Sequence, residues 1–552
     1  MLSRTKRVIS ICTVCMLLLA AFAGCSGKAT EQSGTTAGTK AAETKESEAK
    51  AEENLPPVTI EWLAYQSVAQ PDMESEIVKK VQERFNAKFN IWFIDDQKWD
   101  DVLNVKLAAG EMPDIFRLKN RANLRKYATQ EIVGEVSVDK IAQEAPNYKK
   151  MVDQHNPEQT IWRLTNFEGK NYGFTGVGAG QYPAVIGWRL DWLNNVGITK
   201  VPETIAEFED AFYKFTNNDP DKNEKKDTYG LSNTIMSAIL GAFGPPAFTA
   251  GEFKGSPLPN LAWTLNDEGT PVINAIQPEM KEGLSLLQKW YKDGVVDPEF
   301  LTGENKGGYW ALSHDFMNGR IGISGLAAYY HWAPPLNEKD PGGTIYQEWK
   351  KIKPEIEFDK TYTLGKAPVG PKGKSGQLAG ENFSESMVFS SKCASDDRKV
   401  KTILKMLDTF VTDPDYYMFV SYGQKDVNYT LNPDGTYVEM VKSTEEAFKM
   451  GRSVFNFMSL VPERSKKLKG PLFDFGDKYL VNAYTMVSVP TTDAYAKSYA
   501  SLQKLTAETY FNIITGEQSV DSFDEFVKTF MGNGGEEIIQ QTQEEWRKIT
   551  AK

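Results

Sequence analysis

The alternation of apolar and polar positions predicts a regular order of strands and helices at the start of the folded part of the chain. Residues 58–65 and 89–94 have the apolar content of strands, and the apolar positions within 77–85 recur at helical spacing. A second helical stretch covers about 98–109, and 113–116 is typical of a short strand behind it. Strands that alternate with helices predict an α/β fold with a parallel sheet and right-handed crossovers.

Polar residues near these strands are the first candidates for a binding site. Ligands of open α/β sheets sit beyond the carboxyl ends of the strands, which places Tyr65, Gln66 and Asp114 near one cleft. Loop packing or helix capping is the alternative role of the same three residues.

Further helices are predicted along the rest of the chain. Thr204 and Glu207 form a capping box, and Phe208, Phe212 and Phe215 form the apolar stripe behind it, so these phenylalanines are expected in the core. Two more helices are predicted at about 278–293 and 396–411, and the chain from about 472 is mostly helical.

The first 25 residues have the pattern of an export signal. Three basic residues precede an apolar run from Val8, and the run ends in Phe22-Ala23-Gly24-Cys25. This ending resembles the lipobox of bacterial lipoproteins, which implies a signal peptide at 1–24 and lipid on Cys25. A cleaved signal with an incidental cysteine is the alternative. Residues 26–54 contain no Val, Ile, Leu, Met or aromatic residue, so 25–54 is predicted to be a disordered tether.

Composition excludes several classes of protein. The net charge of −11 argues against nucleic-acid binding, which depends on clustered Lys and Arg. No second apolar stretch approaches the length that spans a bilayer, so the lipid is the expected membrane attachment. Cys393 is the one cysteine after Cys25, which excludes an intramolecular disulfide in the folded body. The length suggests two or more lobes.

An acidic segment has the spacing of a calcium loop. Side-chain oxygens stand at alternating positions of this segment. Lys225 occupies one of these positions and would offer its backbone carbonyl. Glu224 stands where EF-hands have glycine, and Gly230 where they have a bidentate glutamate. We expect a structural Ca²⁺ site, with a solvated acidic loop as the alternative. The candidate ligands are Asp219, Asp221, Asn223, Lys225 and Asp227.

Signatures of catalysis are weak. The three histidines do not stand at metal-ligand spacing, and the motifs H-E-x-x-H and G-x-S-x-G are absent. Gly373-Lys374-Ser375 ends like a phosphate-binding loop, but Pro368 replaces its first glycine. Pairs of carboxylates for glycoside hydrolysis are not excluded, although nothing singles out two of them. We therefore expect a binding protein without catalytic residues.

Aromatic residues cluster in segments that also carry loop signals, notably 181–183, 188–189, 309–310 and 329–335. A flat aromatic ring can pack against the apolar face of a sugar ring, while polar side chains bind its hydroxyls. Packing in a large core is the alternative role of each of these aromatic residues.

Six stretches together resemble the extracellular solute-binding lipoproteins of bacterial ABC importers. Within this family they resemble the carbohydrate-binding subgroup that includes LipO-like and alginate-oligosaccharide-binding members. The resemblance rests on the order and spacing of LAAGEMPDIF (107–116), WRLDWLNNVGITKVPETIAEFEDAF (188–212), NDPDKNEKKDTYGL (218–231), LLQKWYKDGVVDPEFL (286–301), FMNGRIGISG (316–325) and YFNIITGEQSVDSFDEF (510–526).

The resemblance implies a type II periplasmic-binding-protein-like fold, in which each of two lobes has a mostly parallel sheet flanked by helices. Ligand binds between the lobes, and the hinge closes on it without any reaction. The implied crossovers fall near 184–187 and 381–389. The implied division is 55–184 with about 388–430 for lobe 1, and about 185–387 with 431–552 for lobe 2.

The expected ligand contacts combine the cleft candidates with residues near the crossovers. They are Tyr65, Gln66, Asp114, Tyr182, Trp188, Arg189, Trp310, Tyr330, Trp332, Glu381, Asn382 and Tyr422.

These observations predict a monomeric, lipid-anchored receptor on the outer face of a Gram-positive membrane. It would bind oligosaccharides and deliver them to the permease subunits of an ABC transporter. A receptor for peptides or another polar solute, serving an importer or a sensor, is the alternative, and a surface glycan-degrading enzyme is a further one.

Overall fold

The structure is a computed structural model that describes residues 55–64, 69–95, 98–121, 123–251, 259–302, 312–457 and 461–550. The signal peptide, Cys25 and tether predicted for 1–54 lie outside these residues. Residues 57–552 form one compact unit. Within the described part of the chain, no helix has the length and apolar character that crossing a membrane requires.

The strands are short and come from widely separated parts of the chain. In chain order they are β1 (Val58–Leu63), β2 (Ala87–Trp92), β3 (Ile115–Leu118), β4 (Asn166–Phe167), β5 (Lys170–Asn171), β6 (Gly173–Val177), β7 (Ile186–Arg189), β8 (Trp263–Leu265), β9 (Pro271–Ile273), β10 (Ile323–Ser324), β11 (Tyr362–Gly365), β12 (Gln377–Ala379), β13 (Phe383–Phe389), β14 (Tyr429–Leu431), β15 (Tyr437–Glu439) and β16 (Ala483–Thr485).

Helices make up much of the remaining structure, with 3₁₀ turns at Thr160–Leu164 and Asn274–Ile276 and a π-helical turn at Met531–Gly535. The α-helices are α1 (Glu76–Phe85), α2 (Trp99–Ala108), α3 (Asn123–Thr129), α4 (Val138–Glu144), α5 (Pro146–His155), α6 (Leu190–Asn195), α7 (Ile205–Asn217), α8 (Asn233–Gly241), α9 (Pro278–Lys292), α10 (His314–Met317), α11 (Tyr329–Trp332), α12 (Thr344–Ile352), α13 (Ser391–Ala394), α14 (Asp397–Thr412), α15 (Pro414–Tyr422), α16 (Thr444–Lys449), α17 (Pro462–Leu468), α18 (Gly470–Lys478), α19 (Asp493–Thr515), α20 (Ser522–Phe530) and α21 (Glu536–Thr550).

Local sequence signals set several of these boundaries. The Thr204 side chain accepts the backbone N–H of Glu207, and the Glu207 carboxylate accepts that of Thr204, so the predicted capping box begins α7. Gly110 and Gly294 follow α2 and α9 with φ of 81° and 74°. This left-handed conformation ends a helix and costs glycine little.

A five-stranded sheet has the order β2-β1-β3-β13-β6. β1 runs parallel to β2 and β3, as the alternation of strands and helices predicted. β13 arrives from much later in the chain and runs antiparallel to β3 and β6. The sheet is therefore mixed.

The second main sheet has the order β10-β7-β11, and both of its pairings are antiparallel. The expectation of a mostly parallel sheet in each lobe is wrong here. The apolar pattern of a strand shows which side chains are buried, but it does not show the direction of a partner strand from a distant segment.

Two sets of buried residues pack around these sheets. The first core surrounds the five-stranded sheet and includes Trp62 and Phe174. The second core surrounds β7 and the helices behind it and includes Trp188 and Trp290. The chain passes between the cores after β6, before β13 and after α17.

The division of the chain differs from the predicted boundary near residue 430. Phe448, Phe455 and Leu468 pack in the first core, whereas the predicted division assigned 431–552 to the second lobe. Cys393 is also buried in the first core. Burial raises the pKa of its thiol well above the usual range, and the nearby Asp114 carboxylate adds to this effect.

Candidate ligand-binding site

Three cavities lie where the chain passes between the two cores. The first, of about 580 Å³, adjoins the second, of about 500 Å³, because Tyr182 and Tyr330 line both. The third, of about 900 Å³, lies beyond the carboxyl end of β3, between Arg121 and the residues of α21. Cavities of this size suit an organic ligand of one or more rings.

Aromatic side chains form one wall of the first cavity. The ring of Tyr182 packs edge-on against Tyr329 with 4.8 Å between centroids, and it lies 5.9 Å from Phe473. Tyr330, beside them, is 44% exposed. Burial, with the nearby Asp477 carboxylate, raises the pKa of Tyr182. The wall therefore offers apolar faces together with neutral hydroxyl groups, which is the combination that a sugar ring requires.

Asn382 lines the first cavity and contains a buried hydrogen-bond acceptor without a donor among the described residues. The backbone N–H of Gly178 donates to the Asn382 carbonyl at 3.0 Å. A Cβ at position 178 would lie only 2.3 Å from Asn382 Oδ1, so a larger residue there would displace the Asn382 side chain. Asn382 Oδ1 is buried and has no hydrogen-bond donor among the described residues. Because Asn382 also lines the cavity, rotation of its side chain would bring the amide to a ligand hydroxyl.

Glu381 connects the first cavity with the third. Its carboxylate accepts a hydrogen bond from the Arg163 guanidinium and another, at 3.1 Å, from the backbone N–H of Ser488. The side chains of Arg163 and Glu381 are 3% and 14% exposed. A charge pair that is buried and further hydrogen-bonded fixes the relative positions of its partners, so it ties three segments together at the crossover.

Arg121 stands three residues beyond the end of β3, in the third cavity. Its guanidinium donates to the Ser488 hydroxyl and, at 3.3 Å, to the backbone carbonyl of Ser384. Burial lowers its pKa to about 10; the Glu381 carboxylate opposes this shift, and the charge of Arg163 adds to it. The cavity therefore contains a cation in a partly desolvated position.

The structure brings four of the predicted ligand contacts together. Tyr182, Tyr330, Glu381 and Asn382 all line the first cavity, although they come from three separate segments. Their contact with a ligand stays a prediction. Three further predicted contacts lie outside the described residues and also stay predictions: Tyr65, Gln66 and Trp310.

The two predicted tryptophan contacts within the described residues are in the core. Trp188 is 0% exposed and packs against Phe208 with 4.8 Å between centroids. Trp332 is also 0% exposed, and its indole N–H donates to the Leu326 carbonyl at 2.8 Å. The prediction that these residues contact ligand is wrong, because closely packed protein atoms surround both rings.

Arg189 is likewise a structural residue. Its guanidinium donates to both carboxylate oxygens of Asp191, at 2.7 and 2.6 Å, and lies 4.7 Å from the ring centroid of Trp192. Because this arrangement already satisfies the fork of the guanidinium, the predicted ligand role of Arg189 is wrong.

Asp114 and Tyr422 also lie away from the three cavities. Asp114 precedes β3 and therefore stands at its amino end, where it accepts hydrogen bonds from the Glu61 N–H at 2.8 Å and the Lys399 ammonium at 2.6 Å. Tyr422 packs against Tyr437, with 4.5 Å between ring centroids. The cleft position predicted for Asp114 is wrong, whereas the ligand contact predicted for Tyr422 stays a prediction. For Asp114 the cause is a choice of the wrong end of the strand.

Sequence reasoning missed several residues that line the cavities. Arg121 follows β3 at the carboxyl end, so the topological rule would have found it if applied past the strand. Arg163 lies in a 3₁₀ turn, and no motif marks it. His331 lines the first cavity, and burial lowers its pKa to about 4, which keeps the imidazole neutral.

The predicted calcium loop gathers its oxygen-bearing side chains in one turn. The Asn223 amide donates to Asp221 at 2.9 Å and to Asp227 at 3.2 Å. The Asp219 carboxylate accepts the backbone N–H groups of Asn223 and Glu224, each at 3.0 Å. The four candidate side chains are therefore neighbours, as the alternating spacing predicted.

The backbone of this loop also makes the turn that an EF-hand requires. Glu224 has a φ of 63°, so it adopts the left-handed conformation that glycine usually supplies. Asp221 Oδ1 is buried without a hydrogen-bond donor among the described residues, and burial raises the pKa of Asp221. The backbone N–H of Lys225 donates to Asn223 Oδ1 at 2.8 Å. Both the donor set and the unpartnered oxygen fit a hard cation.

The side chains are nevertheless not arranged for coordination. In the described part of the chain, no three His, Cys, Asp or Glu residues form a group that could hold a metal ion. The amide nitrogen of Asn223 lies between two carboxylates, where a bound cation would have to replace it.

The fold is that of sugar-binding proteins of ABC transporters, as predicted. The substrate-binding protein FusA of S. pneumoniae, in complex with kestose, matches with a TM-score of 0.63 and 14% identity, over 89% of this chain and 99% of FusA. The alginate-binding protein AlgQ2, without calcium ion, matches with a TM-score of 0.63 and 16% identity, over 88% of this chain and 97% of AlgQ2. A further FusA structure is of an EF-hand mutant.

Two curated relatives from Bacillus subtilis (strain 168) match most of the chain. The polygalacturonan/rhamnogalacturonan-binding protein YtcQ is 24% identical over 520 residues, which cover 93% of this chain and 96% of YtcQ. Lipoprotein LipO is 22% identical over 482 residues, which cover 85% of this chain and 88% of LipO. No protein-family model matches. The relatives and structural neighbours are binding proteins or lipoproteins, not enzymes, which confirms the predicted resemblance.

Proposed function

We propose that this protein is an extracytoplasmic receptor that binds an oligosaccharide between two lobes and delivers it to an ABC permease. The observation that carries the proposal is the first cavity. Its lining combines aromatic side chains with the polar side chains of Glu381 and Asn382, and this combination suits the two faces and the hydroxyls of a sugar.

The relatives and neighbours support a carbohydrate ligand. YtcQ is named for binding polygalacturonan and rhamnogalacturonan, and FusA was solved with kestose. The ligand contacts both lobes and therefore favours the closed state, which the permease recognises. The two lobes correspond to the first and second cores.

The same receptor is proposed to be anchored by lipid on Cys25 after removal of 1–24, with 25–54 as the tether. LipO is a lipoprotein by name, and the pattern of the first 25 residues supports the same attachment. We place the receptor as a monomer on the outer face of a Gram-positive membrane, where the permease subunits are its partners.

We further propose that the loop from Asp219 to Asp227 binds Ca²⁺ as a structural ion. Asp219, Asp221 and Asp227 would supply carboxylate oxygens, Asn223 its amide oxygen after rotation of the amide, and Lys225 its backbone carbonyl. A bound ion would cross-link this turn without taking part in any reaction. The EF-hand of the FusA variant and the calcium-free form of AlgQ2 support the proposal.

A thermal-shift screen tests the receptor function. The purified full chain would be melted against neutral and acidic oligosaccharides and against short peptides, with and without Ca²⁺. A rise in melting temperature with one class of glycan is expected, because a ligand that binds the native state stabilises it by mass action. A response to peptides alone, or new reducing ends after long incubation with glycans, would contradict the proposal.

A further inference from the structure

The charges that line the third cavity are unequally paired. Arg121 is the cation of this cavity that has no carboxylate hydrogen-bond partner among the described residues, since its guanidinium donates to a hydroxyl and a backbone carbonyl. The other cations of the cavity have carboxylate partners: Arg163 with Glu381, Arg125 with Asp493 at 2.6 Å, and Lys548 with Glu545 at 2.6 Å.

Arg121 is largely buried, so the absence of a carboxylate partner raises the free energy of its charged form. Burying a cation without an anion loses hydration that neutral acceptors replace only in part. The lowered pKa of Arg121 has the same cause, because burial is its largest contribution. Glu381, the carboxylate that acts on the pKa of Arg121, already accepts hydrogen bonds from Arg163 and Ser488. The cavity is also lined by the carboxylates of Glu168, Asp493, Glu544 and Glu545, none of which is hydrogen-bonded to Arg121 among the described residues. An anionic group that enters the cavity would therefore relieve an existing penalty.

The cavity has both donors and space for such a group. A guanidinium has five N–H donors in a planar fork, and the described contacts of Arg121 involve only its two terminal nitrogens. The cavity measures about 900 Å³, and Trp162 and Phe167 are among its lining residues. A planar carboxylate matches the fork of a guanidinium, and an aromatic side chain can pack against the ring that carries it.

We propose that the ligand is an acidic oligosaccharide and that Arg121 in the third cavity binds the carboxylate of one of its uronic acid residues. This inference rests on the proposed function and adds the charge class of the sugar. It requires that the cavity beyond β3 is part of the binding cleft. Because Arg121 also donates to Ser488, the carboxylate would be held where segments of the two cores meet.

Isothermal titration of the full chain against tetragalacturonate and its methyl ester tests the inference without any substitution. The two sugars share ring and linkage, but only the acid has the charge. We expect the acid to bind roughly tenfold tighter or more, since each tenfold step is about 1.4 kcal/mol and a charged hydrogen bond contributes more than that. Equal affinities for acid and ester would overturn the inference.

Substitutions at Arg121 locate the effect. R121Q should lower the affinity for the acid to that for the ester, roughly 10- to 100-fold, and leave the affinity for the ester unchanged. R121K keeps the charge but loses the fork, so it should fall between R121Q and wild type. R84Q is the matched control, because it removes one positive charge that is paired with Asp413 away from the cavities; it should bind the acid like wild type.

The outcomes separate this inference from the proposed function. Binding of neutral oligosaccharides together with equal affinity for acid and ester overturns the inference and leaves the receptor function standing. Absence of binding to every glycan overturns both. If R121Q does not fold, R121K and the comparison of acid with ester decide the result. Binding of 3′-sialyllactose but not of tetragalacturonate would assign the carboxylate to a sialic acid and overturn the uronic acid.

Discussion

Tyr330 and Trp332 stand two residues apart on α11, and substitution of each should affect a different property. Tyr330 is 44% exposed and lines the first two cavities, whereas Trp332 is 0% exposed in the core. Tyr330→Ala should therefore weaken ligand binding with little change in the free energy of unfolding. Trp332→Ala should lower that free energy.

The magnitude for Trp332→Ala follows from what its side chain contacts. Its ring packs edge-on against Phe316 with 5.3 Å between centroids and covers Gly187, where a Cβ would lie 2.5 Å from the ring. Truncation of a buried tryptophan costs about 3 to 5 kcal/mol. The Leu326 carbonyl also loses its donor, which adds about 1 kcal/mol. We expect a total loss of about 4 to 6 kcal/mol.

The magnitude for Tyr330→Ala follows from its place at the cavity wall. Loss of an aromatic contact with a sugar ring should cost about 1 to 2 kcal/mol of binding, whereas a partly exposed side chain contributes about 0.5 kcal/mol or less to stability. Tyr330→Phe is the matched control, because it keeps the ring and loses only the hydroxyl.

Two measurements on each variant separate the effects. Urea unfolding gives the free energy of unfolding, and titration calorimetry with the glycan found in the thermal screen gives the affinity. Wild-type stability of Trp332→Ala together with a loss of affinity would refute the reasoning, because it would place the indole at the ligand. Unchanged affinity of Tyr330→Ala would remove the first cavity from the binding site.

Three further outcomes are expected. Ca²⁺ should raise the melting temperature of wild type but not of Asp219→Ala, and a response that persists in this variant would place the ion elsewhere. Burial lowers the pKa of His331 from 6.5 to about 4, so the unfolded chain binds a proton at a higher pH than the folded one. The free energy of unfolding should therefore fall as the pH drops from about 6.5 to about 4. His331→Gln should weaken this pH dependence in melting curves. Gly173→Ala should destabilise β6 by roughly 1 to 3 kcal/mol in urea unfolding, since its Cβ would lie 2.0 Å from the Met387 carbonyl oxygen; wild-type stability would show that the strands move apart readily.

The first part of the fold was predictable because its signals are local. Apolar spacing marks β1, α1, β2 and α2, Gly110 marks the end of α2, and parallel pairing follows from the order of these elements. The direction of β13 was not predictable, since it pairs with β3 across more than two hundred residues of chain. The boundary near residue 430 was misplaced because Phe448 and Phe455 pack in the first core against segments far away in the chain.

The candidate site was only partly predictable, because the sequence does not show whether an aromatic side chain is buried in the core or lines a cavity. Trp188 and Tyr182 both stand near the first crossover, yet one is in the core and the other at a cavity. The unpaired charge of Arg121 depends on Arg163 and Glu381, which come from segments far apart in the chain. Such a pairing exists only after folding.

The burial of Cys393 makes the protein convenient for following its motion. From residue 57 onward it is the one cysteine of the chain, and its raised pKa leaves little of the reactive thiolate at neutral pH. A dye-labelled pair of new cysteines, for example at Val105 beside the first core and at Ile352 beside the second, both exposed, would not require its removal. Energy transfer between the dyes would then record each opening and closing event on single molecules as sugar arrives and leaves.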